Sequence, residues 1–105
     1  MRREIEIDRA TCHYIEYLHN SVMAYENVIK DLITEIRGKV NINEERFNKF
    51  CEEYRLKYVE LEALKQETYE NYFANVYKDE VKFAKNYSID FLNSNIVVEL
   101  GDEHV

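Results

Sequence analysis

The chain has 105 residues, with 21 acidic and 14 basic side chains, so its formal net charge is −7. A chain of this length forms one domain with a modest core, which leaves little room for an active site between two layers. The negative charge repels nucleic acids and anionic membranes, and it favours protein partners with a basic surface. We therefore predict a single domain over residues 1–105 that binds neither nucleic acid nor membrane directly.

Helix-breaking residues are almost absent, since the chain contains no proline and only two glycines, Gly38 and Gly101. This composition favours a mainly α-helical fold. No apolar run approaches the roughly 18 residues that a membrane span requires, and the acidic residues that begin at Glu4 do not suit a signal peptide. The expected location is therefore the cytoplasm.

The two cysteines, Cys12 and Cys51, do not suit a disulfide. In a helical hairpin that turns near residues 40–41 they lie about 30 Å apart, at about 1.5 Å per residue. A disulfide tolerates a Cα separation of about 7 Å at most. Both side chains are therefore expected to be free thiols.

The first two elements are predicted from two periodicities. Polar and apolar side chains alternate over residues 3–8, as in a β-strand, and Asp8 is a suitable N-cap for a helix. Over residues 9–37 apolar residues recur at steps of three and four, which predicts a long amphipathic helix. Its apolar stripe comprises Ile15, Leu18, Val22, Tyr25, Ile29, Leu32 and Ile36. Gly38 then favours a left-handed helix end.

A second long helix is predicted over residues 44–86, after a short connection at residues 39–42. Asn43 is its predicted N-cap, and Ile42 and Phe47 have the spacing of a hydrophobic staple. Apolar residues recur every eleven positions, close to three turns, which predicts a continuous seam on a nearly straight rod. The rows of this seam are Phe47, Tyr58 and Tyr69; Phe50, Leu61, Tyr72 and Phe83; and Tyr54, Val76 and Tyr87.

The predicted fold is mainly α, a long antiparallel, coiled-coil-like hairpin of two helices, because a short connection makes neighbouring helices antiparallel. After the second helix the period changes to two, which predicts a small β-hairpin over residues 87–100 with its turn at residues 92–95. The two ends of the helical hairpin meet, so the strand at residues 5–7 can join the β-hairpin as a third strand. The periodicity leaves open whether the second helix is continuous through residues 71–75.

Glu16 and His19 form a Glu-x-x-His pair on the first helix, the spacing found in carboxylate-bridged di-iron bundles. The hairpin places Glu62 opposite His19, and two hairpins could form a four-helix bundle. Ligands of that class point into the core, whereas Glu16 lies about 130° from the centre of the apolar stripe at about 100° per residue. The pair also occurs only once. We therefore predict no metal site and no cofactor, and a ferritin-like metal protein is the least favoured alternative.

No catalytic arrangement is apparent in the sequence. His13 lies on the outer face of the first helix, and His104 lies in the C-terminal tail. Neither histidine is therefore expected to act as a general base for a cysteine nucleophile. The chain also lacks the glycines that build a phosphate-binding loop. We therefore expect a protein that is not an enzyme.

The second helix combines aromatic and acidic side chains, a combination that suggests a surface for a protein partner. Tyrosine is enriched at protein interfaces, where it brings a large contact area. Glu53, Glu60 and Glu67 recur every seven residues as an acidic stripe, about 10 Å apart along the helix. A solvated helix face, supported by the Glu53–Lys57 pair, is the alternative. The predicted partner-binding residues are Glu53, Glu60, Glu67, Glu70, Tyr69 and Tyr72.

In size, acidity, tyrosine content and lack of catalytic residues, the chain resembles the anti-CRISPR proteins, small phage-encoded inhibitors of host defence nucleases. The likeness is one of composition and includes no sequence motif. It favours an acidic inhibitor of phage or bacterial origin that mimics nucleic acid and occludes a basic nucleic-acid-binding surface of a partner, such as a nucleic-acid enzyme. The alternative is a self-associating adaptor or accessory subunit, whose aromatic seam closes a four-helix homodimer.

Overall fold

The computed structural model describes residues 1–38 and 44–101, and for residues 35–38 it describes the backbone alone. The elements of these residues, in chain order, are β1 (Arg2–Glu6), α1 (Arg9–Gly38), α2 (Glu44–Tyr69), a π-helical segment (Glu70–Ala74), a 3₁₀ turn (Val81–Phe83), β2 (Ala84–Asp90) and β3 (Asn95–Leu100). The two long helices pack antiparallel, which confirms the predicted mainly α helical hairpin with a small sheet.

Contacts between residues divide the chain into two compact units. Tyr17–Glu62, which includes most of both long helices, forms the hairpin unit. Met1–Glu16 and Ala63–Val105 together form the sheet unit, which contains the three strands. That the whole chain forms a single domain stays a prediction.

Helix α1 begins where the sequence predicts, because Asp8 caps it. The Oδ2 atom of Asp8 accepts hydrogen bonds from the backbone amide and the hydroxyl of Thr11, both at 3.1 Å. The backbone amide of Asp8 donates to the Tyr72 hydroxyl at 3.0 Å, which fixes the cap within the sheet unit. The observed bounds, Arg9–Gly38, are close to the predicted residues 9–37, but Gly38 is helical and has no positive φ, so the predicted left-handed end at this residue is wrong.

The apolar stripe of α1 is buried as predicted, and its burial decreases along the helix. Ile15 and Leu18 are fully buried, and Val22 is 5 % exposed. The next three members of the stripe are only half-buried: Tyr25, Ile29 and Leu32. The side chain of Ile36 and the predicted features of the connection lie outside the described residues, namely residues 39–42, the Asn43 cap and the Ile42–Phe47 staple.

The three strands form an antiparallel sheet in the order β1-β3-β2. Ile96 at the start of the central strand β3 pairs with Ile5 on one side and with Ile89 on the other. The N-terminal strand therefore joins the C-terminal β-hairpin, as the alternation over residues 3–8 predicts. The β-hairpin begins three residues earlier than predicted, at Ala84.

The turn between β2 and β3 is held by the side chain of Asp90. Its Oδ1 atom accepts hydrogen bonds from the backbone amides of Leu92 at 3.1 Å and Asn93 at 3.2 Å, and Oδ2 accepts one from the Asn93 side-chain amide at 2.8 Å. Ser94 completes the turn with a φ of 54°, in the left-handed region. The turn occupies residues 91–94, one residue before the predicted 92–95, and Asn95 is already the first residue of β3.

The core of the sheet unit lies between the inner face of the sheet and the segments that follow β1 and α2. Its buried members are Ile7, Cys12, Phe73, Ile96, Val98 and Leu100. Cys12 is thus a core residue, whereas Cys51 on α2 is half-buried, and both are free thiols, as predicted.

The second helix ends earlier than predicted, so residues 44–86 are wrong as its extent. The π-helical segment Glu70–Ala74 terminates it, with the backbone amide of Asn75 donating to the carbonyl oxygen of Glu70 at 2.9 Å. Such segments hydrogen-bond over five residues instead of four. Tertiary packing outweighs the helical periodicity here, because Phe73 within this segment is fully buried in the core of the sheet unit. The apolar residues that follow contribute to the 3₁₀ turn and to β2 instead.

The seam of α2 follows a seven-residue repeat, not the predicted eleven-residue repeat. Its buried and half-buried members at steps of three and four are Phe50, Tyr54, Lys57, Leu61, Leu64 and Thr68. Two of these are polar, and the Thr68 hydroxyl donates to the carbonyl oxygen of Leu64 at 2.8 Å. Tyr58 and Val76, which belong to the predicted rows, are 44 % and 63 % exposed. Because two positions of the seam are polar, the spacing of the apolar residues alone does not reveal the seven-residue repeat.

Candidate protein-binding surface

The six predicted partner-binding residues are divided between the two units. Glu53 and Glu60 belong to the hairpin unit, and the sheet unit contains the other four: Glu67, Tyr69, Glu70 and Tyr72. All four glutamates are exposed, whereas both tyrosines are half-buried. The hairpin unit therefore presents two members of the acidic stripe, about two turns apart on α2.

Tyr69 and Tyr72 are packed residues of the sheet unit. The ring of Tyr69 stacks on that of Tyr87, with centroids 4.7 Å apart, and its centroid lies 5.4 Å from that of Phe73. Burial raises the pKa of the Tyr69 hydroxyl. The Tyr72 hydroxyl accepts the hydrogen bond from the backbone amide of Asp8. Their rings stabilise this unit, and a role in binding a partner stays a prediction.

Arg3 and Glu80 form an ion pair in the sheet unit that the sequence analysis did not identify. The Nη2 atom of Arg3 donates to Oε1 of Glu80 at 2.7 Å, and its Nε atom donates to Oε2. The guanidinium carbon lies 4.5 Å from the centroid of the Tyr77 ring, a cation–π distance. Hydrogen bonding to Arg3 lowers the pKa of the Glu80 carboxyl below its ordinary value. This pair ties β1 to the segment that follows α2.

Two reciprocal tyrosine–glutamate hydrogen bonds join the helices of the hairpin unit. The Tyr25 hydroxyl donates to Oε2 of Glu53 at 3.3 Å, and the Tyr54 hydroxyl donates to Oε1 of Glu26 at 2.9 Å. Burial, and then the nearby Glu53 carboxylate, raise the pKa of Tyr25, while the bond to Glu26 and burial raise the pKa of Tyr54. Glu53 of the acidic stripe therefore also has a structural role.

A surface that the sequence analysis missed lies on α2, on the side opposite its seam at about 100° per residue. It carries Leu56 and Val59, each 59 % exposed. The exposed carboxylates that flank them are Glu52, Glu53, Glu60 and Glu62, of which Glu53 lies at the border with the seam, because it bonds to Tyr25 of α1. We call these six residues the outer face of α2. The three-residue spacing of two apolar residues outside the seam is the feature of the sequence that could have revealed it.

The Glu-x-x-His pair, which the sequence analysis considered and rejected as a metal site, has no ligand set around it in the described part of the chain. Glu16 and His19 are both half-buried, so Glu16 is less outward-facing than expected, and Glu62 is exposed. No group of three His, Cys, Asp or Glu side chains among the described residues could hold a metal ion. His13 is exposed, and His104 lies outside the described residues.

No protein-family model, no curated protein and no solved structure matches this chain. The likeness to anti-CRISPR proteins therefore rests on composition alone. None of the described helices is both long enough and apolar enough to span a membrane. The outer face of α2 combines exposed apolar and acidic side chains on one element.

Proposed function

We propose that the protein is a non-enzymatic protein-binding module, an acidic, anti-CRISPR-like inhibitor that occludes a basic nucleic-acid-binding surface of its partner. The observation that supports this proposal is the outer face of α2, where carboxylates such as Glu53 and Glu60 flank the exposed Leu56 and Val59. A cytoplasmic location and a phage or bacterial origin are part of the same proposal.

The two kinds of side chain on this face have different roles in the proposed binding. The carboxylates, together with the net charge of −7, attract a basic surface over a distance and speed association. This attraction weakens with salt, since the Debye length is about 10 Å at 0.1 M ionic strength. Leu56 and Val59 act after the encounter, because apolar side chains buried at the centre of an interface slow dissociation.

The first test compares two charge-reversed variants after affinity capture of partners from a bacterial extract. Glu52→Lys/Glu60→Lys changes the outer face and spares Glu53, which accepts the bond from Tyr25. The matched control, Glu6→Lys/Asp79→Lys, changes the net charge equally at two exposed positions of the sheet unit, outside the predicted binding residues. Both helices should persist, because lysine and glutamate have similar helix propensities.

We expect the outer-face variant to capture the partner at least about tenfold less than the wild type does, while the control captures it normally. Duplex DNA or RNA in excess should displace the partner from the wild-type protein, since both occupy the same basic surface. A partner that stays bound in saturating nucleic acid, or equal losses in both variants, would contradict the proposed mechanism.

The alternative function is a self-associating adaptor or accessory subunit that forms a four-helix homodimer. The exposed apolar residues of the hairpin unit favour it, since a dimer could cover them. Light scattering separates the two proposals: the adaptor predicts a stable dimer that the reversal of Glu52 and Glu60 leaves intact, whereas the inhibitor predicts a monomer.

A further inference from the structure

We propose that the segment that binds to the outer face of α2 is a basic amphipathic α-helix of the partner. This inference rests on the proposed function, because it specifies the kind of partner segment that the same surface would receive. It is carried by three properties of the outer face: its apolar ridge, the charges beside that ridge, and the helical backbone beneath them.

The apolar ridge consists of Leu56 and Val59. Residues three apart on a helix are neighbours on its surface, with Cβ atoms about 5–6 Å apart. Each side chain is 59 % exposed, so the pair forms one continuous apolar area. Contiguous apolar surface with a polar border marks interaction sites as it becomes larger, whereas scattered single apolar residues are ordinary. Leu92 in the β-turn, although 91 % exposed, has no such apolar neighbour among the exposed residues of its own strand-turn segment.

The charges beside the ridge are mostly negative. Glu52, Glu53 and Glu60 lie three or four residues from Leu56, and Glu62 lies three residues from Val59. Arg55 is the one basic residue among the helical neighbours of the ridge. A second copy of this chain would bring these carboxylates against each other, and like-charge juxtaposition is costly. Lysine and arginine on both sides of an apolar stripe provide the complementary arrangement.

The helical backbone of α2 determines the form of the partner segment. Its amides and carbonyls are hydrogen-bonded within the helix, so α2 offers no edge to which a β-strand could pair. A segment that covers an apolar ridge must then satisfy its own backbone hydrogen bonds, and an α-helix does so internally. The outer face spans Glu52 to Glu62, about 15 Å, or about three helical turns. The i, i+3, i+4 ridge of a second helix fits along such a face.

A pair of labelled model peptides tests the inference directly. One peptide, about 18 residues long to provide five turns, carries leucine and lysine at helical spacing. The other has the same composition in an order that destroys the apolar stripe. We expect the amphipathic peptide to bind the full-length protein by fluorescence anisotropy and to gain helical circular dichroism on binding. The scrambled peptide should bind at least about tenfold more weakly.

Two matched double variants test whether the peptide binds to the outer face of α2. Leu56→Ser/Val59→Ser should weaken binding of the amphipathic peptide at least about tenfold, because the apolar ridge is lost. Leu92→Ser/Val76→Ser removes exposed apolar side chains from the sheet unit and should leave the affinity within about twofold. All four residues are largely exposed, so both variants should fold.

Equal binding of the two peptides, or unchanged binding to Leu56→Ser/Val59→Ser, would overturn the inference. If the reversal of Glu52 and Glu60 still reduced capture of the partner in that case, the proposed function would stand and only the helical form of the partner segment would be wrong. A dimer in light scattering that Leu56→Ser/Val59→Ser dissociates would instead identify a second copy as the occupant.

Discussion

The sheet unit and the hairpin unit are stabilised in different ways. In the sheet unit, three strands and two helix ends enclose a cluster of fully or almost fully buried side chains around Phe73. In the hairpin unit, the buried apolar side chains among the described residues are Leu18, Val22 and Leu61. The remainder of its seam is half-buried and is supplemented by the Tyr25–Glu53 and Tyr54–Glu26 hydrogen bonds.

This difference follows from the number of elements available in each unit. A sheet and the helix ends packed on it can enclose a side chain from several directions, whereas two helices cover each other along one stripe only. Among its described residues, the hairpin unit consequently exposes seven large apolar side chains: Tyr17, Met23, Val28, Ile33, Leu56, Tyr58 and Val59. Among the described residues, the unit with the smaller core therefore also has more exposed large apolar side chains, since the sheet unit has four: Met1, Tyr14, Val76 and Leu92.

The largest expected effect is at the centre of the sheet unit. Phe73→Ala should lower the free energy of unfolding by about 3–5 kcal/mol, because the ring is fully buried and its removal leaves a cavity. Val76→Ala, three residues later and 63 % exposed, should change it by less than about 0.5 kcal/mol. Urea unfolding measures both. Similar losses for the two variants would mean that Phe73 is not the centre of a packed core.

Leu18→Ala tests the smaller core of the hairpin unit. Leu18 is fully buried, so the loss should be about 2–5 kcal/mol, towards the lower end because a two-helix hairpin can collapse around the cavity. Leu56→Ala is the matched control on the outer face and should cost less than about 0.5 kcal/mol. A loss for Leu18→Ala that exceeds the loss for Phe73→Ala would reverse the ranking of the two units.

Acid should weaken the sheet unit through Glu80. Its pKa is lowered in the folded protein by the bonds from Arg3, so the folded state holds this proton less readily than the unfolded chain does. The stabilisation is therefore complete above the ordinary glutamate pKa of about 4.3 and is lost as the pH falls through the lower, folded value. Glu80→Gln should reduce stability at pH 7, and its difference from the wild type should shrink at pH 3. If the free energies of unfolding of Glu80→Gln and the wild type differ by the same amount at pH 7 and at pH 3, the stability does not depend on the ionisation of Glu80.

The smallest expected effect is an alkaline one in the hairpin unit. The pKa of Tyr54 is raised, so its stabilisation is present below the ordinary tyrosine pKa of about 10 and is lost as the pH rises through the higher, folded value. Tyr54→Phe removes the donor to Glu26 and should lower hydrogen-exchange protection of the hairpin amides at neutral pH. Because the variant has no hydroxyl to ionise at this position, its protection should fall less than that of the wild type as the pH rises. Tyr14→Phe, at a 44 % exposed position of the sheet unit, is the control and should leave both properties of the hairpin unit unchanged.

The elements that the sequence by itself determined are those with a local physical cause. A capping side chain at Asp8 and a regular apolar stripe set the start and the buried face of α1, and alternation over residues 3–8 set the first strand. The acidity of α2 was also evident, since glutamates remain exposed wherever they fall on a solvated helix. Together these features determined the fold class and the negative charge of the outer face, but not the exposure of its apolar residues.

Tertiary structure decided what depends on residues distant in the chain. Lys57 and Thr68 occupy seam positions that their polarity would place in solvent, so the position of the true seam, and with it the exposure of Leu56 and Val59, could not be read from apolar spacing. The second helix ends near Phe73 because that ring is buried with strand residues far along the chain, and this burial outweighs a helical periodicity that continues beyond it. The sequence pattern of a segment indicates its local conformational preference. The free energy that the segment gains by burial depends on which distant residues pack against it, and this gain can outweigh the local preference.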